Sequence, residues 1–102
     1  MQVIATKITQ NPAIVKFELD EIIVRTENFE FKNIDETQNS PLAKQLFFLP
    51  FVKTVYVSGN FIAIEKFSIV EWDDVQEDVA NQINEFIFNG GEIIKIDENK
   101  TK

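Results

Sequence analysis

The ten residues Val-Tyr-Val-Ser-Gly-Asn-Phe-Ile-Ala-Ile, from Val55 to Ile64, constrain the fold of this chain more than any other stretch. A Gly-Asn pair between two runs rich in β-branched and aromatic residues is the signal for a hairpin with a two-residue turn. If Gly59 and Asn60 form that turn, Val57 faces Ile62 and Val55 faces Ile64. Those four aliphatic side chains then share one face, and Thr54, Tyr56, Ser58, Phe61, Ala63 and Glu65 share the other. A slip of one residue would scatter both sets, so turn and pattern specify one register. One apolar face and one mixed face is what a sheet covered by helices on a single side requires.

The residues just before the hairpin read as a short helix. Ser40 is an N-cap, whose hydroxyl can accept from an amide of the first turn, and Pro41 takes the first helical position, where no N–H is needed. Leu42, Leu46 and Leu49 recur at helical spacing on one face, with Lys44 and Gln45 to the side. Pro50 disfavours helical geometry at Leu49 and predicts the end of the helix there.

Other elements follow from the same two periods. Residues 3–9 alternate as a strand, with Ile4, Thr6 and Ile8 on one side and Val3, Ala5 and Lys7 on the other. Asn11-Pro12 marks a turn. Residues 13–19 alternate again, with Val15, Phe17 and Leu19 inward, and pair with the first strand as an antiparallel hairpin. Residues 20–39 carry only short alternations, Ile22 with Val24 and Phe29 with Phe31. A stretch of that length without structure is uncommon in a compact domain, so part of it is expected to be extended. Residues 71–89 are the long helix, with Val75, Val79, Ile83, Phe86 and Ile87 as its apolar stripe and Trp72 at its start. Gly90-Gly91 ends it by permitting positive φ. Ile93, Ile94 and Ile96 could add an edge strand, and residues 97–102 read as a polar tail or the start of a linker. The expected fold class is α+β: a two-layer α/β sandwich in ββαββα order, an antiparallel sheet with two helices on one face.

The chain has 102 residues, enough for one domain with one core. With no cysteine and no histidine, it has no disulfide framework, no thiolate metal site and no histidine base. Its net charge of −7 opposes binding to nucleic acid or to an anionic membrane surface. The first residues lack the basic start and long apolar run of a secretory signal, and the longest apolar run, residues 46–52, is far too short to span a bilayer. The chain is read as cytoplasmic.

Few residues suggest chemistry. Glu71, Asp73, Asp74, Glu77 and Asp78 form the one dense group of carboxylates, a weak candidate for a cation site. They lack the central glycine and alternating ligands of a calcium loop, and acids in the first turns of a helix complement its dipole without any metal. Gly90-Gly91 follows a helix and has no downstream Lys-Ser/Thr, so it is not a phosphate loop. Ser40 has no histidine to activate it. No catalytic residue and no metal ligand is assigned, and the chain is read as no enzyme. Phe48 lies off the leucine stripe and Phe51 follows the proline. Both are candidate partner-contact residues, the other reading being that a second core layer covers them.

In their order along the chain, these residues resemble the N-terminal domain of the Nfu/NifU-like iron–sulfur cluster scaffold proteins. The resemblance is carried by Thr9-Gln10-Asn11-Pro12 with Lys16-Phe17, then Ser40-Pro41-Leu42-Ala43 with Leu46-Phe47, Pro50 and Val52. It continues through Val55, Phe61-Ile62 and Ile64 to Trp72 with its acidic neighbours, Ile83, Phe86 and Gly90. Gln10 stands where the family often has proline, and Phe51 where it commonly has glycine. The larger departure is that the family binds its cluster in a C-terminal domain with a Cys-x-x-Cys motif, and this chain has no cysteine.

The resemblance implies the fold expected above, with residues 1–96 as the Nfu/NifU-like domain. It also implies a non-catalytic accessory or interaction role in iron–sulfur cluster assembly or delivery. No cofactor is bound by this chain; the cluster belongs to a partner or to a C-terminal domain. The implied partners are a Cys-x-x-Cys cluster-binding domain, in cis or in trans, and apoprotein clients. The rival reading is a free-standing protein-binding adaptor unrelated to cluster delivery.

Overall fold

A computed structural model describes residues 1–95. Five antiparallel strands, β1 (Val3–Ile8), β2 (Ile14–Leu19), β3 (Asn28–Phe31), β4 (Val52–Ser58) and β5 (Phe61–Lys66), form one sheet in the order β1-β2-β5-β4-β3. Helix α1 (Pro41–Leu46) separates β3 from β4, and α2 (Trp72–Phe88) follows β5. The fold is the α+β sandwich expected from the sequence, with one further strand. The expected tail, residues 97–102, and Ile96 lie outside the described residues.

The central hairpin has the register that its pattern requires: Val57 pairs with Ile62 and Val55 with Ile64. Only Gly59 takes a positive φ, +53°, while no other residue of the turn does, as in a type II′ turn with glycine in first place. β2 continues the rows, so that Phe17 lies beside Ile62 and Val15 beside Ile64. β3 adds Phe29 beside Val57 and Phe31 beside Val55. Two rows of apolar side chains therefore cross the sheet on one face, and most of them are buried in a single core with Leu42 and Leu46 of α1 and Val79 and Ile83 of α2. Burying one such aliphatic side chain contributes about 1.5–3 kcal/mol, so these rows and the helix stripes are the main source of stability.

β1 departs from simple alternation. A bulge between Val3 and Ala5 shifts the register, so Val3 pairs with Leu19 while Thr6 pairs with Phe17 and Ile8 with Val15. Val3 therefore shares the core-side face with Thr6 and Ile8, where strict alternation predicts the opposite face. A bulge holds one unpaired residue and reverses the sidedness beyond it.

The stretch at residues 20–39 resolves into β3 and a single 3-10 turn at Ile34–Glu36. Its first part is held by the central turn: the Gly59 carbonyl accepts from Ile23 N at 2.8 Å and Val24 N at 3.2 Å, and the Asn60 carbonyl from Leu19 N at 2.7 Å. The α1 helix also stops sooner than its leucine spacing predicts. Phe47 is its C-cap, and the chain tightens into i→i+3 bonds, Phe48 N to Gln45 O at 3.2 Å and Leu49 N to Leu46 O at 3.0 Å. Three-residue turns are the usual way a helix ends close to a proline.

Trp72 joins helix to sheet. Its indole N–H donates to the Ala13 carbonyl at 2.8 Å, and its ring meets Phe17 edge-on at 5.8 Å and Phe51 at 6.3 Å. At the far end of α2, Gly90 with φ +88° donates to the Ile87 carbonyl at 3.0 Å and Gly91 to the Phe86 carbonyl at 2.9 Å, the Schellman arrangement. Beyond it no strand forms at residues 93–95, but Ile93 is buried and Lys95 N donates to the Asn39 carbonyl at 2.6 Å.

Ser40 makes the joint between that segment and α1. Its hydroxyl oxygen accepts from Ala43 N at 3.0 Å and its hydroxyl donates to the Ile93 carbonyl at 2.6 Å, with the residue wholly buried. Ser40→Ala removes a cap and leaves a buried carbonyl without its donor. The expected loss is about 2–4 kcal/mol, read as a lower denaturant midpoint at unchanged m-value.

Candidate interaction surface

Phe48 and Phe51 fall on opposite sides of the surface boundary. The tightened turn after α1 sends the Phe48 ring outward, 65% exposed, and the Phe51 ring inward, 8% exposed and perpendicular to Trp72 at 89°. Its backbone is tied in as well, since the Phe51 carbonyl accepts from Phe67 N at 2.8 Å. A ring locked into the core cannot meet a partner without opening it, which corrects Phe51 from a contact candidate to a core residue. Phe48 is free to do so.

The acidic start of α2 does not converge. Successive helix residues are turned by about 100°, so Asp73 and Asp78 lie about 140° apart around the helix, and Glu71 precedes it as its N-cap. All five carboxylates are exposed. Among the described residues no three acidic, histidine or cysteine side chains are placed to hold a metal ion. That geometry offers a cation no ready-made set of ligands among the described residues. Asp73 and Asp74 lie in the first turn, where their charge favours the helix dipole, and the Glu71 side chain makes no cap of its own.

The sheet face away from the helices is mixed in character. Lys16 lies 4.3 Å above the centre of the Phe61 ring, and Phe61 tilts against Tyr56 at 6.2 Å. Lys7 pairs with Glu18 at 3.3 Å and Lys53 with Glu65 at 3.7 Å. Thr54 donates to the same Glu65 at 3.0 Å. These contacts tie Lys7 to Glu18 and Lys53 to Glu65 across neighbouring strands.

Phe67 and Phe88 are exposed as well, and neither is singled out by the sequence. Phe88, the last residue of α2, is 89% exposed, beside a groove that Asn81, Asn84, Glu85 and Ile87 also line. The signal was available: Phe88 stands about 160° from the centre of the stripe through Trp72, Val79 and Ile83, when positions are turned by about 100° each.

Two measurements check these placements. Phe48→Ala should leave stability within about 0.5 kcal/mol of the parent, whereas Phe51→Ala should cost about 3–5 kcal/mol in thermal or chemical unfolding. Calcium or magnesium should not raise the melting temperature beyond a control of matched ionic strength, because a ligand held by the folded state must raise it.

Residues 4–90 match the family described as scaffold protein Nfu/NifU N terminal. The NFU1 iron-sulfur cluster scaffold homolog, mitochondrial, of Drosophila sechellia is 33% identical over 88 residues, covering 85% of this chain and 31% of that protein. NifU-like protein 5, mitochondrial, of Arabidopsis thaliana is 26% identical over 98 residues, covering 96% of this chain and 35% of that protein. The solution structure of a NifU-like protein from Saccharomyces cerevisiae superposes with a TM-score of 0.78 at 23% identity, covering 94% of this chain and 87% of that one, and supports the fold alone. This chain spans about a third of the length of the curated relatives. By the match over residues 4–90, the chain belongs to the Nfu/NifU scaffold family, as its N-terminal domain.

Proposed function

We propose that this chain is a non-catalytic interaction domain in iron–sulfur cluster assembly or delivery, contacting a Cys-x-x-Cys cluster-binding domain or an apoprotein that receives the cluster. The observation that carries the reading is the family match over residues 4–90 in a chain with no cysteine and no histidine. Cluster ligation by thiolate is therefore work for a partner, or for a C-terminal domain joined beyond residue 96. The domain is taken as residues 1–96, with 97–102 as a polar tail or the start of a linker.

The contact residue in this reading is Phe48. A phenyl ring held outward by a short, well-capped helix is a preorganised anchor, because little further ordering is needed when it is covered. Anionic partners are disfavoured by the charge of −7, so neither nucleic acid nor an anionic membrane surface is included. No helix among the described residues is long and apolar enough to cross a membrane. A cytoplasmic location is part of the same proposal. The mitochondrial names of the relatives set the rival compartment, and fractionation of source cells decides between the two.

Titration of the isotope-labelled chain with a cluster-loaded Cys-x-x-Cys domain, and separately with an apo iron–sulfur protein, should shift amide signals around residue 48 with at least one of them. Phe48→Ala should weaken that binding about tenfold, the loss expected from uncovering one anchoring ring. Unshifted signals with both partners would remove the iron–sulfur reading.

A further inference from the structure

We infer that the outer face of α2 is a second docking surface, whose occupant is a basic protein segment that covers Phe88 with an apolar side chain. The surface is separate from Phe48 and does not rest on the iron–sulfur reading. Among the described residues Phe88 has the highest exposure of the large apolar side chains, 89%, and isolated exposed apolar residues are ordinary. What distinguishes it is the row it ends. Asp74, Glu77, Asn81, Glu85 and Phe88 follow one another at spacings of three and four along the side of α2 opposite its buried stripe, and all are exposed.

The charge on this helix is one-sided. α2 carries five carboxylates and neither lysine nor arginine. Asp73 with Glu77 and Asp74 with Asp78 are like charges at i,i+4, which destabilise a helix. Glu85 sits near the C-terminal end, where the helix dipole favours a cation, and the last turn has no basic residue. None of the ion pairs among the described residues reaches α2: they join Lys7 to Glu18, Lys53 to Glu65 and the amino terminus to Glu21. Positive charge approaching along the row offsets the repulsion felt by Asp74 and Glu77 and complements Glu85 near the C-terminal end.

Charge also selects the occupant. A second copy of the chain would bring the same acidic row and a net charge of −7 against its own image. Nucleic acid and anionic lipid are repelled for the same reason. A basic segment with one apolar side chain answers both features, with the carboxylates steering the approach and Phe88 holding the complex.

The probes are a synthetic amphipathic helix of leucine and lysine and, beside it, polylysine. With the leucine–lysine helix, amide shifts should centre on residues 74–88. Phe88→Ser should weaken it about tenfold without changing the melting temperature, and Glu85→Gln should flatten its dependence on salt. Polylysine should bind more weakly and be indifferent to Phe88→Ser. The inference is overturned if the leucine–lysine helix fails to bind, if its shifts centre elsewhere, or if Phe88→Ser leaves its affinity unchanged. It is equally overturned, in favour of a second copy, if the chain alone dimerises in sedimentation and Phe88→Ser abolishes the dimer.

Discussion

The register of the central hairpin is the constraint on which the other elements depend. Val55, Val57, Ile62 and Ile64 reach the same face only because Gly59 can turn the chain at positive φ between them. β2 extends this face on one side and β3 on the other, and the carbonyls of the turn itself hold the start of the connection between them. A shifted turn would therefore displace the hairpin, the two apolar rows and the path of the segment after β2 together. Local turn chemistry and long-range packing agree on a single arrangement, which is the condition for one well-separated native state.

The helices answer to that sheet by different means. α1 is short and needs fixing at its ends, which Ser40 supplies at the start and the proline-limited turn at the finish. α2 is long enough to hold itself by its stripe, and its ends are fastened by the Trp72 indole and by the two glycines. It also docks on the sheet edge, where the Asn84 side-chain oxygen accepts from Val3 N at 2.7 Å. Gly91, which has no positive φ, is needed there for close approach: a Cβ at that position would lie under 3.0 Å from the Phe86 ring. Stability thus rests on the sheet face, while the helix ends decide how the outward residues are presented.

Most of the fold was legible because strong periodic signals and turn residues coincide. β2, β4, β5 and α2 each carry an alternation or stripe long enough to exclude its competitors, and Gly59-Asn60 sets their phase. β3 was not legible as a paired strand: it has only four residues, and its partner β4 lies beyond α1 in the chain. The bulge in β1 has no local marker, since no glycine stands at Ile4 or Ala5 to announce it. Of the candidate surface, the sequence narrowed the choice to Phe48 and Phe51 but could not decide between them. That choice depends on the angle at which the chain leaves α1, a matter of three-dimensional closure. Phe88 directly follows Phe86 and Ile87 in the sequence and reads as part of their apolar run, although the helical turn carries it away from both.

Trp72 is the chain's one tryptophan, and its surroundings make it an internal spectroscopic probe. The indole is wedged between Phe17 of the sheet and Phe51 of the turn after α1, with its N–H on the start of β2. Its fluorescence therefore originates where three separately patterned segments meet, out of reach of bulk water. Loss of either the helix or the turn wets the same ring, so emission follows the tertiary assembly of the two layers and is blind to changes at the distant tip of α2.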